Sequence, residues 1–210
     1  MDILKGFTHL NHASLKIERD KVIYIDPFEI KGEPHDADLI FCTHDHYDHL
    51  NPEAIGKVMK GDTVLVVPKK NAKKFKKFEI KDVLGVEPEN EYDAGGIKFK
   101  TVRSYNLDKK FHKRKKNWMG FILYVDDASY YIAGDTDYIP EMDSVKADVV
   151  FLPVGGTYTC NAEEAAKAAN VIKPKVAVPI HFGSVVGTKN DAETFVKKLD
   201  KGIEGVILLK

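Results

Sequence analysis

Thr43 to Leu50 reads THDHYDHL and follows the apolar run Leu39-Ile40-Phe41-Cys42. Within it His44, His46, Asp48 and His49 form an H-x-H-x-D-H cluster. Three imidazoles and a carboxylate in six positions are more ligands than one ion takes from one loop. Imidazole suits zinc, iron and manganese, and Asp adds a hard, charged oxygen. In a loop leaving a strand, His44 and His46 can converge on one ion while Asp48 and His49 turn toward a second point. The expected chemistry is a binuclear metal site.

The elements that would position this loop are β-like runs rich in Val, Ile, Tyr and Phe. They are Val22–Asp26, Leu39–Thr43, Thr63–Val67, Ile97–Val102, Gly120–Val125, Tyr130–Ala133, Val149–Pro153, Val176–Ile180 and Val206–Leu209. Asp126-Asp127-Ala128-Ser129 reads as a hairpin turn. Helices are expected between them. Asn51-Pro52 opens Pro52–Met59, Asn161 with Glu164 caps Ala162–Val171, and Asn190 with Glu193 caps Asp191–Leu199. Lys69–Phe78 is a lysine-rich helix candidate whose Phe75 and Phe78 face the core. Interleaved strands and helices with no repeat or linker predict one α/β domain over residues 1–210. Asp26, Asp135 and His181 stand at strand exits, where ligands gather in open α/β folds.

With 210 residues the chain can bury a sizeable core. Its 43% hydrophobic and 30% charged residues describe a soluble globular protein. Thirty-two basic and 32 acidic residues give no net charge, so no global field marks a nucleic-acid binder. Two cysteines, Cys42 and Cys160, read as buried free thiols in a reducing, cytoplasmic setting. No signal peptide or membrane span is expected.

THDHYDHL, Gly134-Asp135-Thr136-Asp137 and Pro179-Ile180-His181-Phe182-Gly183 together resemble the metallo-β-lactamase superfamily. Asn11-His12-Ala13-Ser14, Ile25-Asp26-Pro27-Phe28, Pro153-Val154-Gly155-Gly156-Thr157-Tyr158-Thr159 and Ile172-Lys173-Pro174-Lys175 narrow the likeness. They are similar to the branch of L-ascorbate-6-phosphate lactonase-like and N-acyl phosphatidylethanolamine phospholipase D-like proteins. The resemblance implies a four-layer αββα sandwich with two divalent ions at one edge, zinc first, manganese or iron as alternatives. It implies His44 and His46 on the first metal, Asp48, His49 and His181 on the second, and Asp135 as the bridge. Asp26 would support the His loop from behind, and His12 would be a wall or supporting group. The pattern departs after Val102. Asn106 stands where a third histidine for the first metal is expected, and His112 six residues on is the alternative ligand. His9 and His35 carry no comparable support.

Two such cations lower the pKa of a bridging water toward about 7 and polarise the bond under attack. The expected function is hydrolysis of an ester, lactone or phosphodiester by that hydroxide, with Asp48 and Asp135 as catalytic carboxylates. Gly155-Gly156-Thr157-Tyr158-Thr159 is expected to put N–H groups and hydroxyls, Tyr158 among them, beside the substrate, or else to be a plain connection. Six of the eight residues from Lys109 to Lys116 are Lys or Arg. Over the site they would favour a small anionic substrate; otherwise they are a solvated run. Trp118 anchors that loop or lines the pocket. Two other readings compete: a nucleic-acid-processing metallohydrolase, disfavoured by the charge balance, and a non-catalytic metal scaffold, motivated by Asn106. Homo-oligomers are compatible with all of them.

Overall fold

The computed structural model describes residues 3–208. Its first sheet holds β1 (Phe7–Asn11), β2 (Ser14–Glu18), β3 (Val22–Ile25), β4 (Ala37–Phe41), β5 (Met59–Pro68) and β6 (Asp82–Val86), side by side in chain order. The second holds β7 (Glu91–Ala94), β8 (Ile97–Arg103), β9 (Met119–Val125), β10 (Ala128–Ile132), β11 (Val149–Pro153), β12 (Val176–Ile180) and β13 (Glu204–Gly205). Each sheet begins antiparallel and turns parallel, at β3 in the first and at β10 in the second.

Alternation along the strands builds the layers. Ile23 and Ile25 face the space between the sheets, while Tyr24 faces the opposite side. Leu39 and Phe41 likewise point between the sheets, and Ile40 and Cys42 point away. Both faces of such strands are covered, which is why they read as continuous apolar runs. Between the sheets Phe41 meets Phe99 and Phe121 edge-on at 5.1 and 5.3 Å. On the outer side of the first sheet lie α1 (Pro52–Val58) and a 3-10 segment, Lys69–Phe75. On the outer side of the second lie α2 (Ala162–Ile172) and α3 (Lys189–Lys197). The α2 face is mostly alanine, which lets the helix lie close against Val150 and Leu152. The result is the expected αββα sandwich.

Several local expectations need correction. β1, β2, β6 and β7 were not foreseen from the sequence. α3 starts earlier, with Thr188 as its cap. Thr188 Oγ1 accepts from Asp191 N–H, and the Asp191 carboxylate accepts from Thr188 N–H at 2.7 Å, so Asn190 falls in the first turn. Lys69–Phe75 forms 3-10 turns and not an α-helix. Its lysines repel, no acid sits in the first turn, and Pro68 offers no side-chain cap. Phe75 and Phe78 still pack ring to ring at 5.0 Å in the outer core. The hairpin turn narrows to Asp126-Asp127, since Ala128 already pairs with Val125. The last strand is Glu204–Gly205; Val206 N–H donates to Ala177 O at 3.0 Å, and Leu209 lies outside the described residues.

Candidate metal centre

The exits of β1, β3, β4, β8, β10 and β12 meet at one edge of the sandwich. His12 follows β1, Asp26 follows β3, the His44–His49 loop follows β4, His112 lies in the segment after β8, Asp135 follows β10 and His181 follows β12. A backbone bond ties the two sheets there, His181 N–H donating to His12 O at 2.8 Å. Gly134 lets the β10 exit reach the His loop. It has φ +67, and a Cβ there would meet Thr43 Cβ at 3.1 Å. His12, Asp26, His112 and His181 all hold left-handed φ angles of 46 to 61°, a region uncommon for residues other than glycine. Four of the ten non-glycine residues with positive φ among the described residues stand at this one edge.

Asp135 is the centre of the arrangement. Its Oδ2 lies 3.1 Å from His112 Nε2, 3.1 Å from His181 Nε2 and 3.7 Å from His44 Nε2, and its Oδ1 lies 3.2 Å from His49 Nε2. Two ligand groups share it: His44, His46 and His112 on one side, His49 and His181 on the other, with the donor atoms of each group within 4.8 Å of one another. A third group, His12, Asp48 and His181, adjoins the second, with Asp48 Oδ2 3.5 Å from both His12 Nε2 and His49 Nε2.

These atoms are close but not bonded to each other. His12 Nε2, His49 Nε2, His112 Nε2, His181 Nε2 and Asp135 Oδ1 are all buried without a hydrogen-bond partner. A buried polar atom left so costs about 1–3 kcal/mol, and here five converge. Imidazole and carboxylate donors aimed inward at a common space fit divalent cations.

The electrostatics agree. Burial alone would push the Asp135 carboxyl up, but His181, His49 and His44 outweigh it and hold it well below the usual range. Burial would lower His49, yet Asp135 and Asp26 on either side raise it well above its ordinary value. Burial lowers His44 strongly, and lowers His46 and His12. Asp48 is held low against burial by His12 and His49. Asp135 and Asp48 therefore stay ionised and His44, His46 and His12 favour the neutral form that metal binding requires, while His49 favours its protonated form.

Asp26 braces the loop. Its Oδ1 accepts from Thr43 N–H and its Oδ2 from Thr43 Oγ1, both at 2.7 Å, and His49 Nδ1 sits 2.7 Å from Oδ2. That contact leaves His49 Nε2 as the free ligand atom. Asp26→Asn is expected to weaken cation affinity by about 10- to 100-fold, read by competition against a chelator; unchanged affinity would show that Asp26 does not orient the ring.

Asn106 lies behind His112 and not in its place. Its N–H donates to His112 O at 2.7 Å, and its Nδ2 donates to Tyr158 O at 2.6 Å while standing 3.4 Å from His112 Nδ1. Trp118 is buried beneath the first group, its ring centroid 4.9, 4.8 and 5.3 Å from those of His44, His46 and His112. The Tyr158 ring lines the cavity above the centre. The amides of Gly156 and Thr157 bond within their own loop, to Cys160 O and Gly155 O at 2.9 Å, so they do not face a substrate as expected. Sequence reasoning missed His9, whose Nε2 sits 2.6 Å from His12 O, and the wall residues Tyr47, Phe111 and Val185. His35 lies away, against Met59 O. Cys42 and Cys160 are buried and free, and burial pushes both thiols up, which suits packing and not nucleophilic chemistry.

The beta-lactamase superfamily domain matches residues 6–181. The UPF0173 metal-dependent hydrolase of Pyrococcus abyssi is 33% identical over 218 residues, covering 96% of this chain and 94% of its own. That of Thermoplasma acidophilum is 30% identical over 206 residues, covering 93% and 90%. A crystal structure from Parabacteroides distasonis, provisionally named a metal-dependent hydrolase, superposes with a TM-score of 0.82 at 33% identity, over 96% of this chain and 91% of that one. The chain belongs to the metallo-β-lactamase superfamily, in its group of UPF0173 metal-dependent hydrolases. Among the described residues no helix is long and apolar enough to cross a membrane.

Proposed function

We propose that this chain hydrolyses an ester, lactone or phosphodiester bond in a small molecule with two divalent cations. His44, His46 and His112 would hold one, and Asp48, His49 and His181 the other. Asp135 would be shared between them. The observation that carries this reading is Asp135 itself: one buried, ionised carboxylate facing imidazoles of both groups at 3.1 to 3.7 Å.

When bound, such cations make water a nucleophile near neutral pH and polarise the bond under attack. The chain supplies the rest. One of the two cavity-floor carboxylates, Asp48 or Asp135, would accept a single proton from the attacking water and pass it to the leaving group. Trp118 and the first-sheet core keep bulk water from the underside of His44 and His46. Nitrogen and carboxylate donors together favour zinc, with manganese or iron as alternatives. The bonds from Asn106 N–H and Nδ2 to His112 O and Tyr158 O support His112 over the weak amide as the third ligand of the first group. Support for an anionic substrate is weaker. Lys109 pairs with Asp137, Arg114 with Glu141, and Lys116 lies over Trp118. Buried free cysteines support a reducing compartment.

Elemental analysis of protein purified without chelator is expected to give about two ions per chain. His112→Ala is expected to lose about one of them, while Asn106→Ala keeps both at saturating metal. One ion or fewer in the natural protein, or no turnover of any ester, lactone or phosphodiester, overturns the proposal.

A further inference from the structure

The cavity over the centre measures about 240 Å³. Its floor is His46, Asp48, His112, Asp135 and His181, and its walls are Tyr47, Phe111, Tyr158 and Val185. The wall residues are aromatic or aliphatic, with the hydroxyls of Tyr47 and Tyr158 as their polar groups. Tyr47 is 63% exposed and Phe111 51%, more than any other aromatic among the described residues. Large apolar side chains held in water beside a reactive centre mark a surface that something covers.

Both are fixed in place. Tyr47 packs edge-on against Phe28 at 5.7 Å, and Phe111 packs edge-on against Tyr158 at 5.0 Å. Tyr158 is in turn held by the bond from Asn106 Nδ2 to its carbonyl. Tyr47 stands between His46 and Asp48, and Phe111 immediately precedes His112. Tyr47 and Phe111 are thus each one residue from a floor ligand, about 3.8 Å along the chain. A group attached directly to the reacting bond lies within their reach; a remote one does not.

Charge points the same way. No Lys or Arg lines this cavity, although the segment holding Phe111 is the most basic in the chain. No cationic group stands on the walls to pair with a phosphate or carboxylate outside the reacting bond, and the only wall donors are the Tyr47 and Tyr158 hydroxyls. Offset and edge contacts with two or three rings instead suit a short alkyl or aryl group.

We infer that the slot formed by Tyr47, Phe111, Tyr158 and Val185 selects an uncharged apolar group, short acyl or aryl, on the substrate's reacting carbon or phosphorus. This inference rests on the metal-centre reading above. Hydroxamates test the two separately, because the head group chelates a divalent cation and the tail is free to vary. Isothermal titration of the metal-loaded full chain would compare acetohydroxamate, butyrohydroxamate, benzohydroxamate and the monohydroxamate of succinate. The expected result is a Kd that falls about three- to fourfold per added methylene. Benzohydroxamate should bind roughly tenfold tighter than acetohydroxamate, and the succinate tail no tighter than the methyl. Phe111→Ala should flatten the series by half or more, and Phe111→Leu should restore part of the slope. Head-group binding with a flat or charge-favouring series overturns the inference and leaves the metal centre standing. No hydroxamate binding at all overturns the metal centre, and the inference with it.

Discussion

Asp135→Asn is expected to lower turnover by at least about a thousandfold and to cost the protein one or both cations. The substitution keeps shape and volume but removes the charge. In the natural chain burial opposes ionisation of Asp135, and His181, His49 and His44 overcome it. An amide cannot satisfy that set. It offers one oxygen where the carboxylate offers two, and its NH2 would face His49 Nε2 or His112 Nε2 at 3.1 to 3.2 Å. It also leaves His49 without one of the two carboxylates that raise it, so the imidazole loses its proton more readily. The fold should survive, because Asp135 contributes no strand pairing and its backbone carbonyl still accepts from Ser104 Oγ at 2.8 Å. Circular dichroism reports the fold, elemental analysis the cations and initial rates the chemistry. A folded variant with two ions and near-normal turnover would remove Asp135 from the centre of the mechanism.

The legible part of this site was the part whose residues are close in sequence or stand at strand ends. His44, His46, Asp48 and His49 announce themselves because a strand delivers four ligands in six positions. Asp26, Asp135 and His181 follow from apolar runs that end on a polar residue. His112 and Asn106 could not be separated by spacing, because the segment after β8 has no periodicity to say which side chain turns inward. The fold bonds Asn106 N–H to His112 O, turns His112 under a positive φ and brings it into the group with His44 and His46. The basic run from Lys109 was visible as charge, but charge does not say where side chains end. They leave the cavity for Asp137, Glu141 and the Trp118 face, and Phe111, unremarkable in sequence, takes the wall. The missed strands have a common cause. β1, β6 and β7 are sheet edges, four or five residues long, with one neighbour to satisfy. β2 is internal but only five residues long, so Leu15 and Ile17 alone carry its alternation.

Removal of the cations should lower the midpoint of thermal unfolding on the order of 10 °C. A ligand present at a thousand times its Kd stabilises the native state by about 4 kcal/mol, and about 2–4 °C per kcal/mol is usual at this chain length. The metal-free protein should then show a pH dependence whose sign the imidazoles set. Burial lowers His44 well below 6.5, and lowers His46 and His12 from the same value. As pH falls through about 6.5 the unfolded chain takes up these protons and the native chain does not, so stability is lost toward acid. Asp135 and Asp48 act in the same direction lower down. Their folded values lie below 3.8, so the stability they give is present above that pH and lost as pH falls through the depressed values. His49 opposes them. Its raised value means the native chain keeps a proton that the unfolded chain has released, a contribution present below 6.5 and lost as pH rises through the raised value. A cation on His49 Nε2 must displace that proton. Cation uptake at about pH 7.5 should therefore release at least one proton per chain, seen as a difference in apparent binding enthalpy between Hepes and Tris buffers. Equal enthalpies in the two buffers would mean that His49 is already neutral, and that Asp135 and Asp26 do not hold its proton in the metal-free chain.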